Sequence, residues 1–96
     1  MKILAIEKEI KRKKPGDFKP HLKDEALKVW QFYRNETIRE IYFVKDRKIA
    51  VLILECDNEQ EAEKVLNKLP LVKEKLIKFE IFPLAPYDGF ERLFKL

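Results

Sequence analysis

The sequence predicts an α+β fold, a four-stranded antiparallel sheet with two helices on one of its faces, and three observations lead there. Aliphatic, β-branched segments and amphipathic segments follow one another in the order βαββαβ. The two central strand segments are joined by the short turn around Asp46-Arg47, which makes them a hairpin. The helical segments carry a single apolar stripe, whereas the strand segments are apolar on both sides.

Residues 2–10 (KILAIEKEI) read as a first strand, ended by the basic stretch 11–14 (KRKK) and the loop signal Pro15-Gly16. Asp17 is expected to be the N-cap of a first helix running to about Arg34, with Pro20 tolerated in its first turn, where backbone amides lack an intrahelical acceptor. Phe18, Leu22, Ala26, Val29, Trp30 and Tyr33 fall at helical spacing and form its apolar stripe; His21, Asp24, Glu25, Lys28 and Phe32 fall on another, mostly charged, side. Asn35-Glu36 breaks the helix, and strands follow over 37–44 (TIREIYFV) and 48–56 (KIAVLILEC). Asp57 opens a second helix with Gln60 at the capping-box position and acids Glu59, Glu61 and Glu63 near its positive end. Its apolar face is Ala62, Val65, Leu66 and Leu69, and Pro70 is expected to stop it. Residues 76–84 (LIKFEIFPL) give a fourth strand, and in the tail Phe90, Leu93 and Phe94 have the spacing of a short amphipathic turn. This order is two split βαβ halves, the ferredoxin-like arrangement, expected to occupy residues 1–96 as a single domain.

In the third strand Ile49, Val51 and Ile53 oppose Ala50, Leu52 and Leu54; in the first, Ile3 and Ala5 oppose Leu4 and Ile6. In the second, Ile41 and Phe43 are expected opposite Ile38, Tyr42 and Val44. Two helices cover only one sheet face, so the other would stay exposed in a monomer. The simplest cover is the same face of a second copy, a two-fold homodimer whose sheets pack together into a barrel. A chain of 96 residues has modest burial efficiency and would gain from such a partner.

Composition excludes several classes. Hydrophobic residues at 46% with charged residues at 40% argue for a folded, highly soluble chain and against disorder. No apolar run approaches the roughly 20 residues of a membrane span, and Glu7 and Glu9 interrupt what would be a signal segment, so a cytoplasmic chain without membrane contact is expected. Cys56, the only cysteine, cannot form an intrachain disulfide and reads as a buried thiol. The net charge of +4 comes from the first half, where residues 1–48 carry 14 Lys/Arg against 8 Asp/Glu. The 11–14 stretch reads as a solvated loop more than as a nucleic-acid contact. An RNA-recognition motif would need stacking aromatics on its first and third strands, which this chain lacks, so nucleic acid is not an expected partner. A metal chaperone would need a CxxC in the first loop.

Asp24-Glu25 on the first helix, Thr37 and Arg39 opening the second strand, and Leu69-Pro70-Leu71 followed by Glu80 in the fourth resemble the muconolactone isomerase family of the dimeric α/β barrel superfamily. The resemblance implies a homodimer or higher homo-oligomer with a pocket between sheet and helices for small, largely apolar metabolites. It also implies an isomerisation in which a proton leaves the carbon beside a carbonyl and returns elsewhere, with no metal or organic cofactor. The tail, residues 86–96, and the basic first loop depart from the isomerase pattern. A non-catalytic ligand-binding or homo-oligomeric assembly module is the alternative, and the residues leave open whether the chain is an enzyme.

A proton-shifting enzyme needs a group that can titrate near neutrality and one that stabilises enolate charge. Tyr42, Glu80 and His21 are the catalytic candidates: a phenol that could meet a carbonyl, a strand carboxylate whose pKa burial would raise, and the side chain that reaches neutrality unaided. Glu7 and Glu55 share the reasoning for Glu80. Arg39 could grip a carboxylate, and Trp30 and Tyr33 are substrate-contact candidates on the helix stripe. His21 with Glu25 supplies only two metal ligands, so no metal site is expected.

Overall fold

The computed structural model describes residues 1–10 and 13–95. Strands β1 (Lys2–Glu9), β2 (Ile38–Phe43), β3 (Ala50–Glu55) and β4 (Ile77–Pro83) form one antiparallel sheet in the order β2-β3-β1-β4. The two long helices, α2 (Leu22–Arg34) and α3 (Glu59–Leu66), lie on the same face, the ferredoxin-like arrangement the element order predicts. Ile3 and Ala5 of β1 and Leu52 and Leu54 of β3 point at them and pack with Phe32, Ala62, Val65 and Leu66. Alternate residues of β1 and β3 thus build the main core, and Cys56 is buried in it. Among the described residues, no helix is long and apolar enough to cross a membrane.

The structure corrects several expectations. The first helix is not continuous: a single turn, α1 (Pro15–Phe18), and a 3-10 turn (Lys19–His21) precede α2. Pro20 has no N–H to give to an i−4 carbonyl, so the chain bends through the 3-10 turn instead of extending the helix. Asp17 is accordingly not an N-cap; it lies inside α1, and its Oδ2 accepts the Lys14 N–H at 2.9 Å. Asn58, not Asp57, caps α3: its Oδ1 accepts the Glu61 N–H at 2.8 Å while Glu61 Oε2 accepts the Asp57 N–H at 3.1 Å. Pro70 does not end that helix, which stops at Leu66; it opens a further turn, α4 (Pro70–Lys73), at the N1 position its fixed φ favours.

The remaining corrections concern faces. A register shift between Ile38 and Glu40 places Ile38 opposite Leu54, Ile41 opposite Leu52 and Phe43 opposite Ala50. Ile38 therefore shares the helix-facing side with Ile41 and Phe43, which strict alternation does not allow. On α2 the buried residue is Phe32, at 8% exposure, while Trp30 is 54% and Tyr33 48% exposed. The sheet-facing stripe is Leu22, Glu25, Ala26, Val29 and Phe32, rotated from the predicted one, and Trp30 and Tyr33 stack on each other at 6.2 Å.

The opposite sheet face carries Leu4, Ile6, Val51, Ile53 and Phe82, all partly open. Ion pairs flank it: the N-terminus with Glu55 at 2.7 Å, which holds the Glu55 carboxyl below its ordinary range, and Lys8 with Glu80 at 3.3 Å. The tail forms a 3-10 helix (Gly89–Leu93) that leaves Tyr87, Phe90, Leu93 and Phe94 exposed. The Cα radius of gyration, 15.9 Å, exceeds the roughly 12–13 Å of a compact chain this long. Of the basic first loop, Lys13 and Lys14 are exposed, and residues 11 and 12 lie outside the described residues.

Candidate functional site

A cleft of about 470 Å³ opens between the helix-facing side of the sheet and α2. Its floor comes from strand residues that alternate onto this side: Glu7 of β1, Ala50 and Leu52 of β3, Ile77 and Phe79 of β4. Leu22, Glu25, Ala26 and Val29 of α2 form the roof, spaced so that one stripe of the helix looks down on the sheet. Leu69 and Leu71 close one side, held there because Pro70 turns the chain into α4. The mouth runs along the edge strand, where Ile41 and Phe43 are exposed.

Apart from Tyr42 at its border, the wall is apolar except for two carboxylates, Glu7 from the floor and Glu25 from the roof. Both are half-buried, and each is held by one backbone N–H. Glu7 Oε1 accepts from Ala50 N at 3.0 Å, and Glu25 Oε1 accepts from Leu71 N at 2.9 Å. The Leu71 N–H lies in the first turn of α4 and has no intrahelical acceptor, so Glu25 caps that turn from another helix. Loss of water around each carboxylate pushes both pKa values above the ordinary 4.5, only partly opposed by the N–H bonds. Repulsion from Glu9 adds to the rise at Glu7, and the charge of Glu7 adds to the rise at Glu25. Two carboxyls with raised pKa values thus face one apolar space, where one can act as a base and the other, when protonated, as an acid.

The structure does not bring the sequence-derived candidates together. Tyr42 borders the cleft, but its hydroxyl donates to Glu40 Oε1 at 2.8 Å on an exposed edge, and that bond holds its pKa up. Glu80 lies opposite Ile6 on the other sheet face, paired with Lys8. His21 ends the 3-10 turn before α2 and does not line the cleft. Arg39 donates from Nε to the Glu36 carbonyl at 2.6 Å, at the irregular start of β2, away from the cavity. Trp30 and Tyr33 face outward. Glu25 is the residue that helix-wheel reasoning placed with the charged surface; the signal for it was its position three residues after Leu22 and four before Val29, inside an apolar stripe. Among the described residues, no group of three or more His, Cys, Asp or Glu side chains is placed to hold a metal ion.

No protein-family model and no curated protein matches the sequence. Solved structures do match the fold. One is muconolactone isomerase, with a TM-score of 0.75 over 93% of this chain and 93% of that one at 15% identity. Another is 5-chloro-2-hydroxyhydroquinone dehydrochlorinase from Burkholderia phenoliruptrix AC1100, solved with 2,5-dihydroxybenzoquinone, at 0.65 over 93% of this chain and 98% of that one with 16% identity. Identities this low speak for architecture alone, and the chain has the fold of muconolactone isomerase.

Proposed function

We propose that the chain is a muconolactone isomerase-like protein whose cleft binds a small organic metabolite and moves a proton on it, with Glu7 and Glu25 as the base and acid. The observation that carries the reading is the pair itself: two half-buried carboxylates face one apolar cavity, each fixed by a single backbone N–H. In the reaction, the ionised carboxylate takes a proton from the carbon beside a carbonyl, and the C–H electron pair moves through the adjacent double bond system to the carbonyl oxygen as a dienolate. The protonated partner then delivers its proton to the far carbon, the double bond ends conjugated with the carbonyl, and the two carboxyls have exchanged protonation states. Raised pKa values suit both roles, since each group then holds or gives up its proton closer to neutrality.

The likeness in fold to an isomerase and a dehydrochlorinase that act on small oxygenated rings supports this substrate size. The protein acts as a cytoplasmic homodimer in this reading. The support for the dimer is the sheet face of Leu4, Ile6, Val51, Ile53 and Phe82, which no helix among the described residues covers, and the exposed aromatic tail is suited to clasp the second copy. The test is isomerisation of α-angelica lactone, an uncharged enol lactone, followed by proton NMR in deuterated water. Wild type should form the conjugated lactone with solvent deuterium at the receiving carbon, and Glu7→Gln or Glu25→Gln should slow it by about 100-fold or more. Equal turnover by the wild type and both variants would remove the carboxylates from the mechanism.

A further inference from the structure

We propose that the cleft takes uncharged ring compounds, holds those bearing hydrogen-bond donors most tightly, and turns away the same ring carrying a carboxylate. The inference rests on the reading of this cleft as the ligand site and adds the charge class of what it accepts. Among the described lining residues the charged groups are Glu7 and Glu25, both acidic. One oxygen of each is committed to a backbone N–H, Ala50 N for Glu7 and Leu71 N for Glu25. The Oε2 atoms accept no hydrogen bond from any described residue, so the cavity offers acceptors and asks for donors.

The rest of the wall, with Leu22, Val29, Leu52 and Phe79, is suited to the faces of a ring, and about 470 Å³ gives room for one with substituents. A hydroxyl on such a ring satisfies a carboxylate oxygen without adding charge. A ligand carboxylate would instead bring a further negative charge beside a pair of which at least one carboxyl is ionised, in surroundings where repulsion is screened less than in water. Muconolactone, which carries a carboxylate, falls on the rejected side.

Three matched probes separate the terms: resorcinol, its dimethyl ether, and α-resorcylate, the same diol with a ring carboxylate. Binding is read from the amide resonances of Ala50 and Leu71, whose N–H groups hold the two carboxylates. Resorcinol should bind at least about tenfold more tightly than either relative, and Glu7→Gln/Glu25→Gln should narrow the gap between resorcinol and α-resorcylate to about twofold. α-Resorcylate binding as tightly as resorcinol would overturn the charge inference while leaving the ligand site standing, and equal binding of the dimethyl ether would overturn the donor preference. If none of the three moves either amide at millimolar concentration, the ligand-site reading fails and takes the inference with it. The wild-type ratios decide the matter even if the double variant does not fold.

Discussion

Truncating Glu25 to alanine should destabilise the protein through one identifiable backbone group. The Leu71 N–H stands in the first turn of α4, where no helical carbonyl is available to it, and its acceptor is Glu25 Oε1 at 2.9 Å. A hydrogen bond to an ionised acceptor contributes about 1.5–3 kcal/mol net, and an orphaned half-buried N–H costs a comparable amount. Removing the carboxylate also relieves its own desolvation, which offsets part of the loss. The balance predicts that Glu25→Ala costs about 2 kcal/mol, equivalent to a fall in Tm of about 8–16 °C for a chain this size. Glu25→Gln keeps an oxygen at the accepting position and should cost less than about 1 kcal/mol. Urea unfolding followed by far-UV circular dichroism measures both. An alanine variant within about 0.5 kcal/mol of wild type, or a glutamine variant as unstable as the alanine one, would refute the assignment of Glu25 as the cap of α4.

Three further outcomes follow from the same structure. Glu7 and Glu25 have pKa values above 4.5 when folded, so the folded chain binds more protons than the unfolded one across that interval. Their contribution to stability is therefore fullest below 4.5 and is lost as pH rises through the raised values; unfolding midpoints across pH should show this decline in wild type and a flatter profile in Glu7→Gln/Glu25→Gln. Leu54→Ala, at a side chain with 0% exposure in the core beneath α2 and α3, should cost about 3 kcal/mol in a urea titration. Val51→Lys/Ile53→Lys, on the uncovered sheet face, should reduce a light-scattering mass from two chains to one with the fold retained, and a wild type that is already monomeric would end the dimer reading.

The parts of the fold that were legible in the sequence are those governed by strong, local periodicity. The four strands and two main helices follow from runs such as AVLILE and from the α3 stripe of Ala62, Val65 and Leu66, which is buried as its spacing demands. What periodicity could not supply was phase where the backbone departs from ideal geometry. The 3-10 turn at Lys19–His21 separates Phe18 from the stripe of α2, and the helix packs on Val29 and Phe32, so Trp30 and Tyr33, which look strongest by hydrophobicity, face outward. The irregularity between Ile38 and Glu40 does the same to β2. Both departures affect the site directly. His21, Trp30 and Tyr33, the rare and aromatic residues that invite a functional reading, lie outside the cleft, while Glu7, whose place on a strand already marked it as a possible base, and Glu25, inconspicuous among 17 acidic residues, line it. Only tertiary placement, with Glu7 beside Ala50 and Glu25 beneath Leu71, separates them from the surface acids.

If Glu7 and Glu25 form an interacting, partly desolvated pair, carbon-13 NMR titration of the glutamate side-chain carboxyls will reveal it. Both should titrate above 4.5 and above the solvent-exposed glutamates, and Glu7→Gln should lower the Glu25 value by removing the neighbouring charge. Ordinary titration of both carboxyls, with Glu25 unmoved by Glu7→Gln, would show that they are neither desolvated nor coupled.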